Sequence, residues 1–514
     1  MKINNIIASI IFCFLMVSCT KLGEKINGGL TQDQIAGGSG GGGNVPALLK
    51  GVYSSTRGVF QGQEGIYALW EMTTDELIGP TRGGDWDDNG AWRVLHSHNF
   101  DADHIRVKEV FNNLGGVIYG STDLLRFTPT PQQDAEARML RAMAMFYMLD
   151  GYNQVPYRDP GESNVTAPRV RKGVEALTYI IGELTAIIPN LPNGPVTVAN
   201  KNAARALLMK CYLNKGAYAN RAAPTFDAGD MQQVISLADQ IINSGQYSFS
   251  PNYFDNFAPN NDAIGKENIW EQENIGGVSA DNIRSRWHSS MHYNQQPSGW
   301  NGFTTLSDFY NKFEPSDKRR GVAYPTNNPS FPNPGNRVNV GFLVGQQYSM
   351  ASGAALQDRT GAPLSFTPEV KIIEQGNNLE VTGIRAYKYP IDYQFDDNGN
   401  VNNDYVYFRL GDVMLMKAEA LLRTNNAAGA LVLVNAVRTN RGASVLTGLT
   451  LDNLIDERGR EMYLESWRRQ DLIRFGKFLT PWQEKPTDDP KYLLFPIPNG
   501  QLAANSNLNQ NPGY

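Results

Sequence analysis

Cysteine is nearly absent: the 514 residues hold three, Cys13, Cys19 and Cys211. Two lie at the extreme N-terminus, so the rest of the chain keeps a single thiol and cannot be stapled by an intramolecular disulfide. A basic excess is also missing. Lys and Arg number 46 against 51 Asp and Glu, a net charge of −5, which leaves no cationic stripe for a phosphate backbone and excludes nucleic acid as a partner. Beyond the N-terminus no run approaches the roughly 20 apolar residues that a membrane span needs. Catalytic signatures are lacking too. There is no G-x-S-x-G, P-loop, G-x-G-x-x-G or H-E-x-x-H, and the five histidines (His96, His98, His104, His288 and His292) have no Cys/His set beside them. The chain reads as a protein with no catalytic residues, no metal and no cofactor.

What is present begins with an address. Lys2 precedes an apolar stretch from Ile6 to Val17 that is too short to span a bilayer and has the form of a secretory signal. It ends in "LMVSC", which resembles the lipobox of bacterial lipoproteins, with Met16 in place of the usual Leu. Residues 1–18 are then a signal peptide and Cys19 the lipidation site, a membrane anchor through acyl chains worth about 0.8 kcal/mol per buried methylene. Residues 19–44 form a polar tether ending in Gly37–Gly43, with a root-mean-square reach of roughly 25–30 Å.

Periodicity divides the remainder. From 45 to 245 the segments "NVPALLKGVYSSTRGVF", "DAEARMLRAMAMFYML", "GVEALTYIIGELTAIIP", "NKNAARALLMKCYLNKG" and "DMQQVISLADQIINSG" repeat apolar residues at helical spacing. Cys211 falls on an apolar face of one of them and reads as core. Small residues at regular places let helix pairs approach, as in tetratricopeptide arrays, without the strict 34-residue repeat. From 246 to 403 Gly, Pro, Asn and aromatics dominate, the mark of a loop-rich insertion. From 404 to 514 helical periodicity returns, ending in one long charged helix capped by Thr450 over "TLDNLIDERGREMYLESWRRQDLIRFGKF". Its i, i+3 and i, i+4 pairs (Glu457 with Arg460, Arg458 with Glu461, Glu465 with Arg468 and Arg469) suit a solvated face or packing against a loop-rich region. The expected fold is mainly α: stacked helix pairs carrying an irregular insertion with little β structure.

Several motifs resemble one family. "RLGDVMLMKAEALL" followed by "NAVRTNRG" is similar to the SusD/RagB pattern, with Arg409, Asp412, Glu419, Asn435 and Arg438 in the matching places. "DERGREMYLESWRRQDLIRFGKF" and the ending "FPIPNGQLAANSNLNQNPGY" also resemble it, with Ser466 where the family has glycine. "YMLDGYNQVPY" carries Asn153 where the family has Gly, and Asn is the next best residue for a left-handed backbone. The resemblance implies a surface-exposed outer-membrane lipoprotein that binds a nutrient, usually an oligosaccharide, as the lid of a SusC-like TonB-dependent β-barrel transporter. Asp412 and Glu419 then read as partners of nearby arginines. A RagB-like peptide binder of the same architecture, a scaffold without a small ligand, and a glycan-processing enzyme stand as alternatives.

The candidate ligand residues lie on two loops. "TRGGDWDDNGAW" offers Arg82, Asp85, Trp86, Asp88, Asn89 and Trp92: indole faces for the C–H faces of a sugar, and planar polar groups for its hydroxyls. The same loop begins like an EF-hand, D-x-[DN]-x-[DN]-G from Asp85, but Arg93 stands at the ninth position and His96 at the twelfth, where calcium needs a bidentate Glu. "RSRWHSSMHYNQQPSGWNGF" adds Trp287 and Tyr293, while Trp300, inside a G-W-N-G-F stretch, reads as structural.

Overall fold

The computed structural model describes residues 44–514 apart from 281, 282, 333, 397 and 398. Cys19, the expected signal segment and nearly all of the Gly-rich tether lie outside the described residues. Among those described, no helix is long and apolar enough to cross a membrane.

Helices α1 (Val45–Phe60), α2 (Ile66–Glu71), α3 (Ile105–Leu124), α4 (Pro131–Tyr152), α5 (Gly173–Ile187), α6 (Lys201–Ala219) and α7 (Ala228–Ile242) make up the first half. From α3 to α7 each helix packs on the next in chain order. α4 shows why the sequence folds this way. Thr130 and Gln133 form a capping box around Pro131, whose missing N–H costs nothing in the first turn. Alanines and methionines then fill faces pressed between α3 and α5, leaving nearly every residue from Ala135 to Tyr152 buried. The helix ends on Asn153 in the left-handed region at φ 61°, the conformation its amide side chain tolerates.

The array does not stop at 245. Helix α8 (Leu410–Arg423) docks on α7 and α9 (Ala427–Asn440) on α8, continuing the stack across the insertion. The stretch between carries only small antiparallel sheets. β1 (Gln154–Tyr157) and β2 (Arg169–Lys172) form a ribbon inside the helical half; in the insertion β3 (Asn268–Gln272), β4 (Gly321–Val322), β5 (Val340–Leu343), β6 (Gly345–Gln346), β7 (Ser365–Phe366) and β8 (Arg385–Tyr387) precede β9 (Tyr405–Arg409). The orders are β1-β2, β4-β5-β8, β6-β7 and β3-β9, the last joining the two ends of the insertion. The fold is mainly α, as expected.

The long charged helix is two helices, α10 (Leu451–Met462) and α11 (Arg468–Arg474). Thr450 caps the first through a box with Asn453. The break falls where Leu464 and Ser466 take left-handed φ of 57° and 64°. It turns both charged faces inward, so the solvated reading is corrected. Glu457 keeps Arg460 at 2.7 Å, but Arg458 bonds Asp412 at 3.1 Å and Asp471 at 2.8 Å instead of Glu461. Glu465 pairs with Arg409 and Lys388 instead of Arg468 or Arg469. Arg319 bridges Asp317, Glu457 and Glu461 from the insertion, and Arg441 joins Glu461 to Glu267, both at 2.8 Å. Asp412 also holds Lys210 of α6 at 2.7 Å, and Glu419 holds Arg474 at 2.8 Å, so these family-motif acids serve as ion-pair partners. Cys211 is a buried core residue.

Candidate functional site

The first loop curls because its backbone is left-handed at Arg82, Asp88 and Asn89 as well as at Gly83, Gly84 and Gly90. Arg82 is buried and acts as a strut. Its Nε donates to Asn301 O at 3.0 Å, Nη2 to Gly302 O at 3.2 Å, and Nη1 to Leu379 O at 2.9 Å, with Glu374 3.3 Å away. One guanidinium thus fixes three segments far apart in sequence. Trp86 completes the join by donating its indole N–H to Trp300 O at 2.8 Å. Its ring lies flat against Gly302, where a Cβ would fall 2.5 Å from it; only glycine fits there. The two loops picked out in the sequence therefore meet.

They do not expose all the expected rings. Trp92 is 2% exposed, edge-on to Phe303 at 5.1 Å with Arg106 over its other face, and its indole N–H is taken by Asp88. Trp287 is 0% exposed and donates to Asp396 at 2.9 Å. Both expected platforms face protein, because each indole N–H found a carboxylate, Asp88 for Trp92 and Asp396 for Trp287. Trp300, read as structural, is instead 37% exposed. Trp86 and Tyr293 are half-buried, and Asp85, Asp88 and Asn89 are exposed. In the metal-like stretch Arg93 Nε donates to Asp87 at 2.7 Å, so a cation of the chain itself occupies that carboxylate.

Two residues with no signal in the sequence complete the cluster. Arg359 lies 4.2 Å over the Tyr293 ring, 3.7 Å from Asp85, and is hydrogen-bonded to Glu380. His292 meets the other oxygen of Glu380 at 2.9 Å. Burial alone would raise the Glu380 pKa, but the hydrogen bonds from Arg359 and His292 outweigh it and keep the carboxylate ionised well into acid. Burial lowers His292 despite that partner, so the imidazole is neutral at pH 7. Arg82, Asp85, Asn301, Asp358, Arg359 and Glu380 line a recess of about 210 Å³ beside this surface. The neighbourhood presents flat rings, two charge signs and a concavity, an arrangement able to hold a polyhydroxylated ligand through stacking and bidentate hydrogen bonds.

Fold and site define a helical-array protein whose loops build a surface cluster of aromatic and charged side chains. Residues 266–514 match the SusD family model. The chain is 26% identical over 511 residues to the starch-binding protein SusD of Bacteroides thetaiotaomicron, covering 88% of this chain and 87% of that one. A SusD superfamily protein from Parabacteroides distasonis superposes with a TM-score of 0.72 at 18% identity, over 91% of this chain and 98% of that one. A laminarin-binding SusD-like protein gives 0.66 at 19% identity, over 91% and 99%. The chain belongs to the SusD/RagB family.

Proposed function

We propose that this protein is a cell-surface lipoprotein that binds an oligosaccharide and serves as the lid of a SusC-like TonB-dependent outer-membrane transporter. The observation that carries the reading is a joined loop surface on which Trp86 is tied to the backbone of the solvent-exposed Trp300, while Arg359 lies over Tyr293 and 3.7 Å from Asp85. Trp300 and Trp86 offer faces to sugar C–H groups; Asp85, Asn89 and Arg359 meet the hydroxyls. The family and the starch- and laminarin-binding relatives support a glycan as ligand. Cys19 is the anchor, and the helical stack, regular and rigid, supplies the face that seats on the barrel. Binding, not bond cleavage, is its task.

A glycan array followed by calorimetry tests the ligand. Wild type is expected to bind at least one oligosaccharide class, and Trp300→Ala to weaken it about ten- to hundredfold, the scale of losing one apolar platform. Capture of peptides with no glycan bound would replace this reading by the peptide one. Mild detergent extraction is expected to bring down a much larger barrel protein, and Cys19→Ala to lose labelling by a palmitate analogue.

A further inference from the structure

A second pocket, of about 240 Å³, also borrows from the Met291–Trp300 loop and is lined by Met291, Gln295, Phe342, Gln347, Tyr387 and Tyr393 among others. Its floor is unusual. Tyr387 is 4% exposed and Tyr393 8%, yet neither hydroxyl has a hydrogen-bond partner among the described residues. Neither is sealed away from solvent either, since neither is among the enclosed polar atoms left unpaired. A nearly buried phenol normally finds a protein partner for its hydroxyl. Two side by side in one concavity mark a place that expects donors and acceptors from outside.

Charge narrows the ligand. No carboxylate lines the pocket, and its one charged lining residue is Arg337. That guanidinium lies 4.3 Å over the Tyr348 ring and forms no ion pair among the described residues. Tyr310 of the same wall is covered at 4.4 Å by Arg320, which has no acid partner among the described residues and donates to the Tyr310 hydroxyl. Arg284, Arg319 and Arg359 of the insertion are each paired with Asp or Glu. One unneutralised guanidinium in a pocket free of acids, with a second resting on Tyr310 of its wall, favours an anion. The remaining wall is amide and aromatic, Gln295, Gln347 and Tyr348, the groups that suit ring hydroxyls and a pyranose face.

We propose that this pocket is a second saccharide subsite that takes an acidic sugar, a pyranose bearing a carboxylate or a sulfate. Arg337 meets the anion, and the hydroxyls of Tyr387 and Tyr393 bond to the ring substituents. The assignment rests on the oligosaccharide reading of the first site. It extends that reading because the two places share one loop, with Tyr293 and Trp300 serving one and Met291 and Gln295 the other. A chain spanning both would be selected for its charge as well as its shape.

The test is calorimetry of the full-length protein with three probes: oligogalacturonate for the carboxylate, a sulfated galactan oligosaccharide for the sulfate, and malto- or laminari-oligosaccharide as neutral references. At least one acidic probe is expected to bind more tightly than the neutral ones, with an advantage that shrinks as salt rises. Arg337→Gln is expected to remove that advantage, about ten- to hundredfold, and leave neutral binding unchanged; Arg337 is exposed, so the fold is preserved. Tyr387→Phe with Tyr393→Phe should weaken the acidic probe while melting stays normal. The two acidic probes separate carboxylate from sulfate. If acidic probes bind no better than neutral ones, or bind equally well to Arg337→Gln while Trp300→Ala abolishes all binding, the second subsite is refuted and the first stands. If wild type binds no saccharide at all, both readings fall together.

Discussion

Single side chains decide what this surface can recognise. Trp92 and Trp300 make the contrast sharp, one edge-on to Phe303 beneath the loop and the other open to solvent. Trp92→Ala is expected to remove a large buried ring, cost about 3–5 kcal/mol and lower Tm by several degrees. Trp300→Ala is expected to leave Tm within a degree or two and to act on ligand affinity alone. Thermal melts and titrations of both variants separate the two effects; equal loss of stability would show that Trp300 is also structural. The sequence could name the aromatic loops because Trp, Asp, Asn and Gly cluster there. It could not say which ring stays outside, since that depends on contacts such as Gly302 and Phe303 more than 200 residues away in the chain. Arg359 and Glu380 were illegible for the same reason: each lies in ordinary turn sequence, and only the fold brings them to Tyr293 and Asp85.

At the level of elements, periodicity carried most of the information. The amphipathic and small-residue patterns of α1 and of α4 to α9 were readable, and so was the capping role of Thr450, whereas α3 went unread. The division of α10 from α11 was not, because Glu, Arg, Leu and Trp run through the break with helical spacing and no Gly or Pro marks it. Ser466 is the hinge. Its φ of 64° suits glycine, and its hydroxyl is buried without a hydrogen-bond partner, although its N–H is bonded to Glu71. Replacing it by Gly removes a Cβ from a left-handed position and an unmet hydroxyl from the core. Ser466→Gly is therefore expected to stabilise the protein by about 1 kcal/mol. Chemical denaturation would show it as a raised midpoint at constant slope, and a lowered midpoint would mean the hydroxyl has a role that its surroundings do not reveal.

The whole molecule balances buried charges of opposite tendencies, and pH should expose the balance. Burial would raise Glu457, but Arg319, Arg460 and Arg438 more than compensate and hold it at about 2. Its contribution is complete above the ordinary carboxylate range and is lost as pH falls towards 2. Burial lowers His96 to about 4, so folding favours its neutral form; that contribution is present above about pH 6.5 and is lost as pH falls towards 4. Burial pushes Asp404 up to about 8 and Glu71 to about 7, and the stability they gain as neutral acids disappears as pH rises through those values. The two raised acids start losing stability at the ordinary carboxylate range and outweigh the gain from His96, so stability is expected to be highest near pH 4 to 5 and to decline towards pH 8. Calorimetry from pH 4 to 9 checks this; Tm rising steadily towards pH 9 would contradict it.

Lys210 lies on α6 with its ammonium 2.7 Å from Asp412 and 3.7 Å above the Trp467 ring. Those partners are made about 200 residues later than the lysine, which at a ribosomal pace of about 5–20 residues per second means some 10–40 s. Until they arrive, closing the middle of the array would bury a cation with nothing opposite it, a cost of several kcal/mol. The growing chain is thus held open by its own chemistry. For a polypeptide whose first residues read as an export signal, such a delay would favour a chain that can still be threaded. A nascent fragment ending before Asp412 is expected to be cut readily by protease along residues 201–242, while the finished protein resists; a fragment as resistant as the whole would show that the lysine does not set the timing.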